Sequence, residues 1–161
     1  MHMKKVTFLL AILAFAGFGL NSCNKKCKLE TEDVSSGIIV PDSYALPSSG
    51  GITTSMGGDY HTHAGSLYDD NFTVIINGAE TAPDYSQYSI LGLPMTVNCN
   101  VYFERTVTID TAAQEARYTV TAYQCQSAKC DQQRFVENFV VTERIPENYT
   151  VYYVSDIIET N

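Results

Sequence analysis

Apolar and polar residues alternate most cleanly in the second half of the chain. Val97, Cys99, Val101, Phe103, Val107 and Ile109 alternate with Asn98, Asn100, Tyr102, Glu104, Thr106 and Thr108. Period two of this length predicts a half-buried β-strand. Arg105 interrupts the apolar face and marks either its rim or a bulge. Tyr118, Val120 and Ala122 line the next apolar face, so Asn98 to Ile109 and Ala116 to Gln126 read as the arms of a hairpin around Asp110 to Glu115. Phe135 to Glu143 is rich in β-formers, although Phe135, Val136 and Phe139 also fit one side of a short helix. Ile145-Pro146-Glu147-Asn148 is a turn signal, and Tyr149 to Ile158 follows as a last strand. The first half is more broken. Gly37 to Val40, Ile52 to Ser55, Phe72 to Ile76 and Tyr88 to Leu91 are short strand candidates between Pro, Gly, Ser and Asp. Asn77-Gly78 supplies the residues of a tight hairpin turn. Strands of this kind with no long helix predict an all-β fold, an antiparallel β-sandwich or, alternatively, a lipocalin-like β-barrel.

The N-terminus follows a different pattern. Lys4 and Lys5 precede an apolar run from Val6 to Leu20, interrupted only by Thr7. About fifteen residues is short for a bilayer core, so the run reads as the apolar region of a signal peptide. It ends in Leu20-Asn21-Ser22-Cys23. A branched apolar residue three before a cysteine and a small residue directly before it resemble the lipobox of a bacterial, Bacteroidetes-type lipoprotein. The resemblance covers only this segment. It implies diacylglyceryl transfer to the Cys23 sulfur, cleavage before Cys23 and acylation, as by palmitate, of the new amine. Residues 1–22 are then signal peptide, 23–36 a lipidated tether and 37–161 a single β domain, long enough for one core. The anchor implies a cell-envelope protein at the outer membrane. Surface-exported lipoproteins of this type resemble one another in an acidic cluster right after the cysteine. Asn24-Lys25-Lys26 stands there instead, which favours the periplasmic side and leaves surface exposure as the alternative.

Charge and cysteines then narrow the partners. The chain carries a formal charge of −8, and loss of Lys4 and Lys5 makes the mature form more acidic. That excludes the basic footprint of a nucleic-acid binder. The expected partners are the membrane, through Cys23, and an envelope protein or glycan. Lipidation of Cys23 leaves Cys27, Cys99, Cys125 and Cys130 for disulfides in an oxidising compartment. The hairpin can adopt one of two registers. One sets Cys99 opposite Cys125 but Val101 opposite Tyr123. The other matches the apolar faces, Val107 near Tyr118 and Phe103 near Ala122, and puts the two cysteines on opposite faces unless a bulge intervenes. Cys99–Cys125 and Cys125–Cys130 both stay open, and Cys27 has Cys130 or another chain as its candidates.

Four groups of residues carry candidate chemistry. Asp59, His61 and His63 point to one side of an extended chain and suit a zinc ion, with Asp69 or Asp70 to complete it; a loop between glycine pairs is the plainer alternative. Leu67-Tyr68-Asp69-Asp70-Asn71 offers calcium ligands without a calcium loop's spacing. Asp110-Thr111-Ala112 resembles the O-glycosylation motif of exported Bacteroidetes-type proteins, with Thr111 as the site, and also reads as ordinary turn chemistry. Tyr149, Tyr152, Tyr153, Tyr118 and Tyr123 offer an aromatic face for a sugar or peptide. The chain has no nucleophile elbow, no His-Glu-x-x-His and no glycine-rich phosphate loop. The expected function is therefore a non-catalytic, lipid-anchored β domain that binds a ligand or partner. A metal-binding module on Asp59, His61 and His63, or a fimbrial or surface-assembly component, is the alternative.

Overall fold

A computed structural model describes residues 29, 32–47, 60–62, 72–98, 100–125 and 133–160. Within them the chain is all β. The strands are β1 (Val34–Gly37), β2 (Ser43–Pro47), β3 (Tyr60–Thr62), β4 (Phe72–Ile76), β5 (Ala79–Thr81), β6 (Tyr88–Gly92), β7 (Met95–Val97), β8 (Val101–Asp110), β9 (Glu115–Cys125), β10 (Arg134–Val136), β11 (Val140–Glu143) and β12 (Thr150–Thr160). They form four open sheets, ordered β1-β8-β9-β12, β11-β6-β3, β2-β4-β5 and β10-β7. None closes into a barrel among the described residues.

The β8–β9 hairpin organises the largest sheet. Its register runs one-to-one from Val101 opposite Gln124 to Asp110 opposite Glu115, with Phe103 opposite Ala122 and Val107 opposite Tyr118. This is the register that matches the apolar faces, and it contains no bulge. The connection is capped by Asp110, whose Oδ1 accepts from the amides of Ala112 (2.9 Å) and Ala113 (3.0 Å). Gln114 closes the turn at a φ of 56°. β1 and β12 flank the hairpin, and both run parallel to their neighbours.

Two cores follow from the alternation. Phe103, Val107, Ala116, Tyr118, Val120 and Ala122 pack their common face against Leu91, Leu93, Met95, Val97, Val140 and Ile145. A second core joins Ala45, Phe72 and Val74 to Ile90 and Val141. Successive residues of a strand point to opposite faces. The adjacent Ile90 and Leu91, both at 0% exposure, therefore serve different cores, and their cross-strand partners Val141 and Val140 do the same. The β6–β11 pair is buried on both sides.

Several boundaries differ from the sequence reading. The strand expected at Gly37 to Val40 lies earlier, at Val34–Gly37. Gly37 ends it at a φ of 77°, and a Cβ there would meet the Val107 carbonyl oxygen at 1.9 Å. Asp33 already bonds the sheet, so ordered pairing begins ahead of residue 37. The alternating run from Val97 divides, and the arm expected from Asn98 begins at Val101. Met95–Val97 pairs with β10, while the Asn98 amide donates to Gln124 Oε1 at 3.1 Å instead of joining a strand. Phe135 to Glu143 forms neither one strand nor a helix. Asn138, at a φ of 46°, separates β10 from β11. The Ile52 to Ser55 candidate lies outside the described residues. Asn77 and Gly78 turn the chain between β4 and β5, both with positive φ.

Candidate binding face

The face of the four-stranded sheet that points away from the core carries polar and aromatic side chains, half-buried on β8 and β9 apart from the exposed Thr108 and Arg117. β8 contributes Tyr102, Glu104, Thr106 and Thr108, and β9 contributes Tyr123, Thr121, Thr119 and Arg117 opposite them. β12 adds Ile158, Asp156, Val154 and Tyr152 in the same rows. Tyr102 and Tyr123 stack at 4.6 Å between ring centroids with 6° between planes. The Tyr123 hydroxyl donates to Glu104 Oε2 at 2.9 Å. That bond, with some burial and the nearby carboxylate charge, raises the phenol's pKa above its ordinary value. Tyr123 is therefore held as a hydrogen-bond donor, not as a phenolate.

At the other end of this face the Arg117 guanidinium lies over the Tyr152 ring, 5.7 Å from its centroid. The Tyr152 hydroxyl donates to Glu115 Oε1 at 3.3 Å. Thr108, Asp110, Glu115, Arg117 and Tyr152 line a shallow cleft of about 200 Å³. Between the two ends runs a threonine ladder, extended to β1 by the 2.8 Å contact of the Ser36 and Thr106 hydroxyls. Hydroxyls, a cation over a ring and separated carboxylates suit hydrogen bonding and packing against a partner. They do not assemble a nucleophile with its base.

The core-facing side holds a polar clamp at its rim. Arg105 donates from Nη1 to Asp33 Oδ2 at 2.8 Å, and from Nε and Nη2 to Asn138 Oδ1 at 3.1 and 2.8 Å. Asp33 Oδ1 accepts the Phe103 amide at 2.9 Å. Asn138 Nδ2 donates to the Leu93 carbonyl at 3.2 Å, and the Asn138 carbonyl accepts the Tyr118 hydroxyl at 2.6 Å. Burial pushes the Tyr118 pKa well above its ordinary value, with Arg105 opposing the shift. Arg105 is thus the rim of the apolar face, and its bonds tie β1, β8 and the β10–β11 connection together.

The residues singled out by sequence fall as follows. Cys23, Cys27, Asp59, His63, Asp69, Asp70, Cys99 and Cys130 lie outside the described residues. His61 sits in β3 opposite Leu91. Among the described residues no three His, Cys, Asp or Glu side chains gather as a metal site. Cys125 is buried and disulfide-bonded. Thr111 is exposed at the tip of the hairpin, beside the Asp110 cap. The five tyrosines do not form one surface. Tyr118 and Tyr153 meet edge to face at 6.3 Å within the main core, where Tyr149 also packs. Tyr123 and Tyr152 lie on the outer face. Sequence reading missed Tyr102, Glu104 and Arg117 as companions of Tyr123 and Tyr152. The register that matches the apolar faces implies that grouping, because residues facing away from a core share the other face.

Comparisons of the chain with protein-family models, with curated proteins and with solved structures find no match.

Proposed function

We propose that this chain is a lipid-anchored protein of the bacterial cell envelope. Its domain, of β-sandwich type, is a non-catalytic binding module that meets its partner through the four-stranded sheet. The observation that carries the reading is Cys23 at the end of Leu20-Asn21-Ser22-Cys23, behind a basic and apolar leader. The packing of the β8–β9 face against β6, β7 and β11 supports the sandwich. The outer face, with its half-buried stacked tyrosines and its exposed arginine over Tyr152, supports binding rather than turnover. Cys99 is the proposed disulfide partner of Cys125, because the Asn98 amide on the Gln124 side chain brings the chain next to Cys99 close to Cys125.

Membrane fractionation tests the anchor. The wild-type chain is expected in the membrane fraction, and Cys23→Ala is expected to lose lipid incorporation. If Cys23→Ala takes up labelled fatty acid and fractionates as wild type does, the anchor reading is wrong.

A further inference from the structure

The cleft at the hairpin end of the outer face is built on fixed groups. Asp110 caps the β8–β9 turn. The Thr150 amide donates to the Gln114 carbonyl at 3.0 Å, which docks the start of β12 on the same turn. Thr108, Asp110, Glu115, Arg117 and Tyr152 line the cleft, side by side across the three strands.

The hydrogen-bonding capacity of these groups is not used up. Asp110 Oδ1 accepts the Ala112 and Ala113 amides, and Glu115 Oε1 accepts the Tyr152 hydroxyl. Each carboxylate keeps a second oxygen without a hydrogen bond among the described residues. Arg117 is exposed and lies over the Tyr152 ring. It makes no ion pair or hydrogen bond among the described residues. A guanidinium carries five N–H donors. The cleft therefore sets donors beside acceptors, next to a ring that is 42% exposed.

That mixture selects against a charged ligand. An anion that met Arg117 would also face Asp110 and Glu115. A cation that met the carboxylates would face Arg117, which already covers the Tyr152 ring. A neutral ring with several hydroxyls meets neither penalty. Its hydroxyls donate to carboxylate oxygens and accept from a guanidinium, and its C–H groups pack on an aromatic side chain. At about 200 Å³ the cleft is smaller than the usual ligand pocket and suits one ring of roughly a dozen non-hydrogen atoms. The tether enters at the opposite end of the sheet. Val34 pairs with Glu104, and Asp110 stands six residues further along β8, about 20 Å away.

We propose that this cleft binds one neutral sugar unit of an envelope glycan that stands off the membrane, not the headgroup of a glycolipid beside the anchor. This deepens the proposed function and rests on it, since it names the ligand met through the four-stranded sheet.

Amide spectra of the isotope-labelled full chain in detergent micelles test this. The probes are methyl glycosides of neutral hexoses and N-acetylhexosamines, with glucuronate and a lysyl peptide as the charged alternatives. A glycoside is expected to bind with a roughly millimolar Kd, as a small shallow site allows. It should shift the amides of Thr108, Glu115, Arg117 and Tyr152. Arg117→Ala and Tyr152→Ala are each expected to weaken binding roughly tenfold. Arg117→Lys keeps the charge without the planar fork and should weaken it less. Tyr44→Ala, at an exposed tyrosine of another sheet, should bind as wild type does. The same spectra report whether each variant is folded. No shift from any glycoside at roughly ten times that Kd overturns the proposal. So does equal binding by wild type, Arg117→Ala and Tyr152→Ala. Binding of glucuronate or the lysyl peptide in place of the glycosides overturns it too, as does a response only to vesicles carrying a glycosyl lipid. The anchor fails separately. Glycoside binding by a chain that incorporates no lipid keeps the cleft and removes the anchor. A lipid-bearing chain without these shifts does the reverse.

Discussion

At one edge of the four-stranded sheet β1 pairs with β8 over four residues and is stopped by Gly37. At the other edge β12 follows β9 for 11 residues. The first edge adds side-chain bonds to a short ladder. Asp33, Arg105 and Asn138 bind it to the core rim, and Gly37 lets its backbone approach Val107 closely. The second is held by backbone ladder bonds along its whole length. The contrast teaches that a short edge strand depends on single residues where a long one does not. Substitutions at the β1 edge are expected to unfold the sheet locally, and single substitutions along β12 to cost little.

The largest expected effect is Gly37→Ala. The added Cβ meets backbone, and the φ of 77° is unfavourable for any other residue. A loss of about 3 kcal/mol is expected in denaturant unfolding, with β1 released first. Gly78→Ala shares that φ but meets nothing within 4 Å, so a loss nearer 1 kcal/mol is expected. Equal losses at the two glycines would remove the close approach as the reason for Gly37.

Arg105→Ala comes next. It leaves Asn138 Oδ1 without its guanidinium donors at a residue only 4% exposed, for an expected loss of about 2 kcal/mol. Asp33→Ala, at the exposed end of the same ion pair, is expected to cost about 1 kcal/mol or less. A larger loss at Asp33 than at Arg105 would place the clamp's weight on the wrong residue.

Tyr118→Phe probes the buried end of the clamp. It strands the Asn138 carbonyl and is expected to cost about 1 kcal/mol near neutral pH. Because burial raises the Tyr118 pKa, its stabilising share is complete below the ordinary value of 10.0 and is lost as pH rises beyond it. Above that pH the wild type is expected to lose up to about 1.4 kcal/mol per pH unit through this group. Unfolding measured at pH 7 and pH 11 should show Tyr118→Phe with a smaller alkaline loss than wild type. The smallest effect is expected at β12, where Ile157→Asp should change unfolding of the isolated chain by only about 0.5 kcal/mol.

The long strands were legible because one face of each is buried and the other is wet. Phe103, Val107, Tyr118 and Val120 announce the hairpin and its register through apolar matching alone. Asn77-Gly78 announces its turn because both residues accept positive φ. The middle of the molecule was harder. Leu91 and Ile90 serve opposite cores, so β6 shows no alternation and its sequence reads as a short apolar run. β2 hides behind Pro41 and Asp42, which punctuate the chain just before it. Asn138 interrupts β10 and β11 through contacts with Arg105 and Leu93, residues distant in sequence. On the outer face, Tyr102 and Glu104 were visible as polar alternation, but only the strand pairing puts them beside Tyr123 and Thr121.

Hydrogen exchange along the two edge strands tests the contrast most directly. Amides of Tyr152, Val154, Asp156 and Ile158 should be protected, since β9 holds them. In Arg105→Ala the Ile38 amide, which donates to the Val107 carbonyl, should lose protection while those four keep it. Equal loss of protection at Ile38 and along β12 in Arg105→Ala would contradict the account.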